Sequence, residues 1–365
     1  MTTQELDTAR AEAFAGRLFS ASVEALDLLA VYVGERLGLY KAMTSAGPVT
    51  APELAARAGI HERYAREWLE HQAVTGIAEV DDPALTEDQR RYTLPGAHAA
   101  ALTDPESPFS MTPLARALVS VTQTLPEVLE AFRSGGGVPW SAYGADGIEA
   151  QGDFNRPWLV GQFATEHLAS IPDVHARLQT DPPAHVADVC CGVGWSSIAI
   201  ARAYPKVTID GFDLDEVSIE MARTYAADAG LADRVKFHAR DAADPGADGH
   251  HYDLVVVVEA IHDLARPVEV LSAIRRLLAP GGTVLVLDER TAVEFTVPGD
   301  ELERLFYGVS FLLCLPAGMA DQPSAATGTV MRPSTMRKYA SEAGFRDTHI
   351  LDIEHPTLRY YRLVP

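Results

Sequence analysis

The sequence predicts an α/β protein in two parts, an open doubly wound sheet in the C-terminal half preceded by a mostly helical winged-helix domain. Three observations carry this expectation. The chain has 365 residues, which suits two domains better than one. From residue 185 onward, short Val-rich apolar runs alternate with segments of helical spacing, the pattern of parallel strands buried on both faces. Before residue 185 that alternation is missing, and helical periodicity dominates. The expected boundaries are 1–150 for the helical winged-helix and dimerisation domain, 151–184 for connecting helices and 185–365 for the sheet domain.

In residues 20–43, Val23, Leu26, Ala30 and Val33 recur at helical spacing. Thr50, Pro52 and Glu53 form a helix start, with a capping side chain, a proline in the first turn and an acid behind it. Gly59 ends that helix, and another follows from His61 to near Gly76. Residues 77–82 and 91–96 read as a short strand and its return. Helix, turn, helix and ribbon make a winged-helix pattern. Its second helix carries Arg63 and Arg66 but also Glu62, Glu67 and Glu70, a mixed charge that argues against a nucleic-acid reader. Residues 104–180 read as further helices, interrupted by a Gly-rich stretch at 134–147 that suits a linker or a mobile lid equally.

In the sheet domain, strands are expected at 185–191, 207–215, 234–242, 252–264 and 283–291. Helices are expected at 194–205, 216–231 and 267–282, with right-handed crossovers. Ligands of such sheets bind beyond the carboxyl ends of the strands. Those ends carry Asp188, Asp213, Asp241 with Ala242, Glu259 to Asp263, and Asp288 with Glu289.

Composition narrows the function. The formal net charge is -21, a field that repels phosphate backbones. No apolar run reaches the roughly 18 residues of a membrane span. The polar, acidic start does not resemble a secretory signal, and three cysteines (Cys190, Cys191 and Cys314) make no disulfide framework. A cytoplasmic protein is expected.

The first strand runs into Asp188, Cys190, Cys191, Gly192, Val193 and Gly194, a turn that lets backbone approach a ligand. Ser197 stands where a dinucleotide fingerprint has its third glycine, which weakens a nicotinamide reading. Asp213 can accept the hydroxyls of a ribose, Leu214 can pack on adenine, and Asp241 can accept from an exocyclic amine. That set suits adenine, ribose and a positive group, with no pyrophosphate.

These motifs, with GFDLD, RDAAD, IHDL and LAPGGTVLVLD, resemble in order those of class I S-adenosylmethionine-dependent methyltransferases, whose fold is Rossmann-like. The resemblance covers residues 185–290, and the tail with EAGFRD before a last strand pair is similar as well. It implies S-adenosyl-L-methionine as cofactor, the methionine part held by Asp188, Gly192 and Gly194, the ribose by Asp213 and the adenine by Asp241. Leu214, Ala242 and Glu259 belong to the same expected site. Cys190, also placed there, departs from the family's usual glycine.

His262 and Asp263 resemble the histidine–aspartate pair of plant-type small-molecule O-methyltransferases and their bacterial relatives, though Leu264 replaces the aromatic that follows it there. The resemblance implies His262 as general base, with Asp288 or Glu289 orienting it, and dimerisation through the N-terminal domain. An imidazole titrating near neutrality suits removal of a hydroxyl proton. Asp263 also suits a helix cap. A metal centre is not expected, since no histidine lies between His262 and His349, although carboxylates such as Asp263 or Glu289 could contribute ligands to one on His262. The expected reaction is methyl transfer to the hydroxyl of a small molecule, in keeping with secondary metabolism. Open alternatives are carbon or nitrogen acceptors, a non-methylating enzyme that keeps the cofactor, and a small-molecule-sensing regulator. Cys314 lies in an apolar stretch that suits either a pocket wall or a helix core, with no basic neighbour in sequence to activate it.

Overall fold

The computed structural model describes residues 7–45, 47–241, 243 and 251–365. Contacts divide the chain into Met1–Val119 and Ser120–Pro365.

The first unit opens with a long helix, Thr8–Arg36, in which only Val31 and Gly34 are buried. Thr50 and Glu53 cap helix Ala51–Ala58 reciprocally, and Gly59 ends it in the left-handed conformation. Helix Glu62–Val74 follows. The wing is a minimal ribbon, β1 (Glu79–Val80) paired antiparallel with β2 (Tyr92–Thr93). Its core gathers Leu39, Tyr40, Leu54, Trp68, Leu69 and Tyr92. Inside it Tyr40 donates to Gln72 at 2.7 Å and Trp68 to the Ala30 carbonyl at 3.0 Å. The arginines of the second helix and the wing are paired with acids: Arg63 with Glu67, Arg66 with Glu87 and Arg90 with Glu70.

The division falls ahead of the expected boundary at 150 because residues 120–150 pack on the C-terminal part. Ser120 donates to the Tyr143 carbonyl, and the Tyr143 hydroxyl donates to the Leu312 carbonyl at 2.9 Å. The Gly-rich stretch is a docked strap. Val138 N–H donates to the Pro316 carbonyl at 2.9 Å, and a Cβ on Gly137 would stand 2.2 Å from the Ala320 nitrogen. Only glycine fits there.

The second unit holds a seven-stranded sheet of β3 (His185–Val189), β4 (Thr208–Asp213), β5 (Val235–Ala239), β6 (Tyr252–Val258), β7 (Leu278–Glu289), β8 (Asp347–Ile350) and β9 (Leu358–Val364), in the order β5-β4-β3-β6-β7-β9-β8. β3 to β7 pair in parallel, and β9 inserts antiparallel between β7 and β8. Alternate residues of each strand enter opposite cores. Leu254, Val256, Leu285 and Leu287 face one, and Val255, Val257, Val284 and Val286 the other. The strand order reverses between β3 and β6, which opens a crevice at their carboxyl ends. The helix expected at 267–282 is Pro267–Leu277, and β7 begins already at Leu278. Gly281, at φ +81°, and Gly282, whose added Cβ would sit 2.7 Å from the Tyr252 carbonyl, let the backbone pair there.

Candidate active site

The turn after β3 is built around two acids. Asp188 is fully buried and accepts from the Ser196 and Ser197 hydroxyls at 2.5 and 2.6 Å, while its other oxygen has no partner. Ser197, at the missing-glycine position, thus closes the helix start onto the strand. Burial pushes the Asp188 carboxyl up to about 6, against the serine hydrogen bonds that lower it. One oxygen of this side chain thus holds the turn.

Asp213 accepts from Gly192 N–H at 2.8 Å and Asp215 N–H at 2.9 Å, which locks the glycine turn to the end of β4. Burial raises its pKa as well. Gly194 sits at φ +83°, and a Cβ on it would meet Phe237 at 2.5 Å. Cys190 takes the left-handed conformation at φ +58°, which explains glycine in the related motif and costs a side chain about 1–2 kcal/mol. Leu214 stands 65% exposed beside Asp213. Asp241 accepts from Ala243 N–H and faces Arg266 at 3.3 Å. Ala242 lies outside the described residues. Two acids near the glycine turn, an exposed apolar side chain and a third acid one strand on fit a nucleoside with a cationic substituent.

Glu259 follows β6 at φ +51°, and its carboxylate accepts from Gln151 at 2.8 Å and Asn155 at 2.6 Å. Both amides come from helix Gly144–Trp158, and no sequence motif announced them. Burial raises the Glu259 pKa.

His262 lies in a short 3₁₀ turn, Ile261–Asp263, and is 2% exposed. Its Nδ1 donates to Asp288 Oδ1 at 2.8 Å, and Glu289 Oε2 lies 2.9 Å from the same nitrogen. Both expected orienting acids are therefore present. Asp263 Oδ1 lies 3.1 Å from Nε2 without accepting an aligned hydrogen bond. Asp263 is not a helix cap, since helix Pro267–Leu277 is preceded by Arg266 at its cap position. Burial alone would lower the His262 pKa, but Asp263, Glu289 and Asp288 outweigh it and raise it well above the usual value. Burial pushes Glu289 well up, whereas the imidazole holds Asp288 below its usual range despite burial.

Cys314, from the apolar stretch, sits in a π-helical turn, Ser310–Cys314, and its sulfur lies within 4.8 Å of polar side-chain atoms of His262 and Asp263. Burial pushes its thiol up to about 12. Sequence spacing gave no sign of this contact. The backbone just beyond it packs on the same turn, where a Cβ on Gly318 would stand 2.8 Å from the Asp263 carbonyl.

Residues 186–282 match a family described as a methyltransferase domain, and residues 25–104 match an Rv2258c-like winged HTH domain. A probable tocopherol O-methyltransferase from rice is 32% identical over 121 residues, which span 33% of this chain and 32% of that protein. The chain therefore covers about a third of that relative's length. A ubiquinone biosynthesis O-methyltransferase from Pseudomonas aeruginosa is 29% identical over 185 residues, 49% of this chain and 72% of that protein. The solved structure of PigF with SAH superposes with a TM-score of 0.70 at 20% identity, covering 99% of this chain and all of the other. At that identity the likeness shows a shared fold.

Proposed function

We propose that this chain, a methyltransferase with an N-terminal winged helix domain, transfers the methyl group of S-adenosylmethionine to a hydroxyl of a small organic molecule, with His262 receiving the proton. The observation that carries the reading is the buried imidazole with its Nδ1–H given to Asp288, which leaves Nε2 as the atom that can meet an acceptor. The name of the Pseudomonas relative supports an oxygen acceptor.

Bound, the cofactor supplies an already activated methyl group on a sulfonium. The chain's residues do the rest. Asp213 has lone pairs left for two ribose hydroxyls after accepting from two backbone N–H groups. Leu214 offers an apolar face to adenine, and Asp241 accepts from its amine. Gly192 and Gly194 keep the turn low enough for close approach. Cys190 lines that turn, and Asp188 holds it from beneath. Glu259, fixed by Gln151 and Asn155, accepts from an ammonium group.

At the acceptor, Nε2 would take the hydroxyl proton and so ready the oxygen for the methyl group that the cofactor would supply. The acids around the ring favour the imidazolium that results, and because they also raise the resting pKa, the ring serves as base in the fraction whose Nε2 has given up its proton, so turnover is expected to rise with pH. Asp263 has its side chain 34% exposed and is the acid free to swing aside for the acceptor. Alignment supplies the remainder of the rate. The chain pairs with a second copy through helix Thr8–Arg36.

The test is calorimetry with S-adenosylmethionine and S-adenosylhomocysteine, followed by an acceptor screen. Micromolar binding is expected in the native chain and in His262→Ala but not in Asp213→Ala. His262→Ala is expected to lose at least about 100-fold in turnover. A chain that binds neither compound overturns the reading, and an active His262→Ala overturns the role of that residue.

A further inference from the structure

We propose that His262 Nε2, a carboxylate oxygen of Asp263 and Cys314 Sγ form a binding site for a thiophilic divalent cation such as zinc. The three donor atoms lie within 4.8 Å of one another, and Nε2 and Asp263 Oδ1 are 3.1 Å apart. Tetrahedral zinc with nitrogen, oxygen and sulfur ligands needs donor separations of about 3.3–3.8 Å, so closing the site takes side-chain adjustments of under about 1 Å. Sulfur beside imidazole selects zinc over magnesium or calcium.

The other ring nitrogen is arranged as a metal-bound histidine requires. Its Nδ1–H goes to a buried carboxylate, Asp288 Oδ1, at 2.8 Å, the acid–histidine–metal arrangement that fixes the ring and its tautomer. The second acid set around His262, with Asp288 and Glu289 on Nδ1, is less suited to the ion because occupying it would remove that hydrogen bond. Three acids also surround an imidazole that can carry only one positive charge. Asp263 Oδ1, Asp288 Oδ2 and Glu289 Oε2 are buried without a hydrogen-bond partner, and a dication against one carboxylate and one thiolate leaves the inner set neutral. Coordination breaks the Cys314 S–H bond and the N–H bond of a protonated Nε2, forms the sulfur–metal and nitrogen–metal bonds and releases both protons to solvent. The expectation of no metal centre counted histidines. The fold supplies sulfur instead, from a residue 52 positions beyond the histidine in sequence (314 against 262).

The lone pair of Nε2 holds a proton or a metal ion, never both. Resting on the role proposed for His262, the ion is an inhibitor that competes with the acceptor and leaves cofactor binding unchanged.

The experiment is titration of the full chain, freed of metal by a chelator and kept reduced, with cobalt(II) and zinc(II) alone. One cobalt ion per chain is expected, with a near-ultraviolet thiolate charge-transfer band and the visible bands of a tetrahedral site. Cys314→Ser is expected to lose the charge-transfer band, and Cys190→Ala to keep it. Asp263→Asn, at a side chain 34% exposed, is expected to weaken zinc at least tenfold, and Asp288→Asn by about 10–100-fold. No cobalt band in the native chain overturns the site, as does a band that survives Cys314→Ser or zinc affinity unchanged in Asp263→Asn. Because neither cofactor nor acceptor enters the titration, a silent metal leaves the methyltransferase reading standing. Cobalt binding by a chain that ignores S-adenosylhomocysteine would separate the two in the other direction.

Discussion

Asp188 has partners that its neighbours in sequence do not announce. Its position at the end of a buried strand was legible from the run before it. Its partners were not, because Ser196 and Ser197 are ordinary helix residues until the turn folds them back onto the carboxylate. Burial raises the folded carboxyl to about 6 from an ordinary 3.8. Between those values the folded chain binds a proton that the unfolded chain has lost, so this group's contribution to stability grows as pH falls through the window. Asp188→Asn keeps an acceptor for the serines and removes the titration. Urea unfolding at pH 7.5 and pH 5 is therefore expected to favour the native chain over Asp188→Asn by about 1 kcal/mol more at the lower pH. An equal difference at both pH values would place the acid in a less buried state than the structure does.

Among the elements, those with local causes were readable in the sequence: the capping box at Thr50 and Glu53, the glycine stop at 59 and the Val-rich strands. Elements set by distant contacts were not. The strap at 134–147 reads as a linker until Gly137 meets the backbone of Ala320, and the turn at Cys314 reads as a plain apolar helix. The helical stretch that carries Cys314 starts at Glu301–Val309, anchored by a buried pair. Glu303 accepts from Arg332 at 2.8 and 3.0 Å, and from Ala292 N–H at 2.6 Å. The hydrogen bonds from Arg332 hold the Glu303 carboxyl below its usual range. Its contribution is therefore present at neutral pH and lost as pH falls below the ordinary glutamate range, opposite in sign to Asp188. Glu303→Gln is expected to cost about 2 kcal/mol in urea unfolding at pH 7, less than a fully buried pair because Arg332 keeps some contact with water. A loss under a few tenths would mean that the pair adds little beyond the side-chain amide's own hydrogen bonds.

At the scale of the whole molecule, alternating strands and helices were enough to expect a doubly wound sheet with its site beyond the carboxyl ends of the strands, whereas the strand order, with its crevice between β3 and β6, depends on pairings that sequence alternation does not fix. Oligomeric state has no comparable sequence rule, but the first helix constrains it. Along Thr8–Arg36, Phe14, Leu18, Phe19 and Leu26 are all more than half exposed, with Phe19 at 73%, and Val23 and Val33 extend the same apolar run. A 29-residue helix with two buried positions gains little from its own unit. At about 25 cal/mol per Å² of apolar surface, burying such a stripe against a second copy offsets the cost of association only if most of it is covered. Antiparallel pairing along the helix achieves that, and the net charge of -21 disfavours looser contacts. The native chain is therefore expected to sediment as a dimer at micromolar concentration. Leu18→Glu with Leu26→Glu is expected to shift it to monomer while S-adenosylhomocysteine binding persists, since the proposed cofactor residues all belong to the other unit. A native chain that sediments as a monomer would mean that the exposed stripe serves a different partner, and a double variant that stays dimeric would move the interface off this helix.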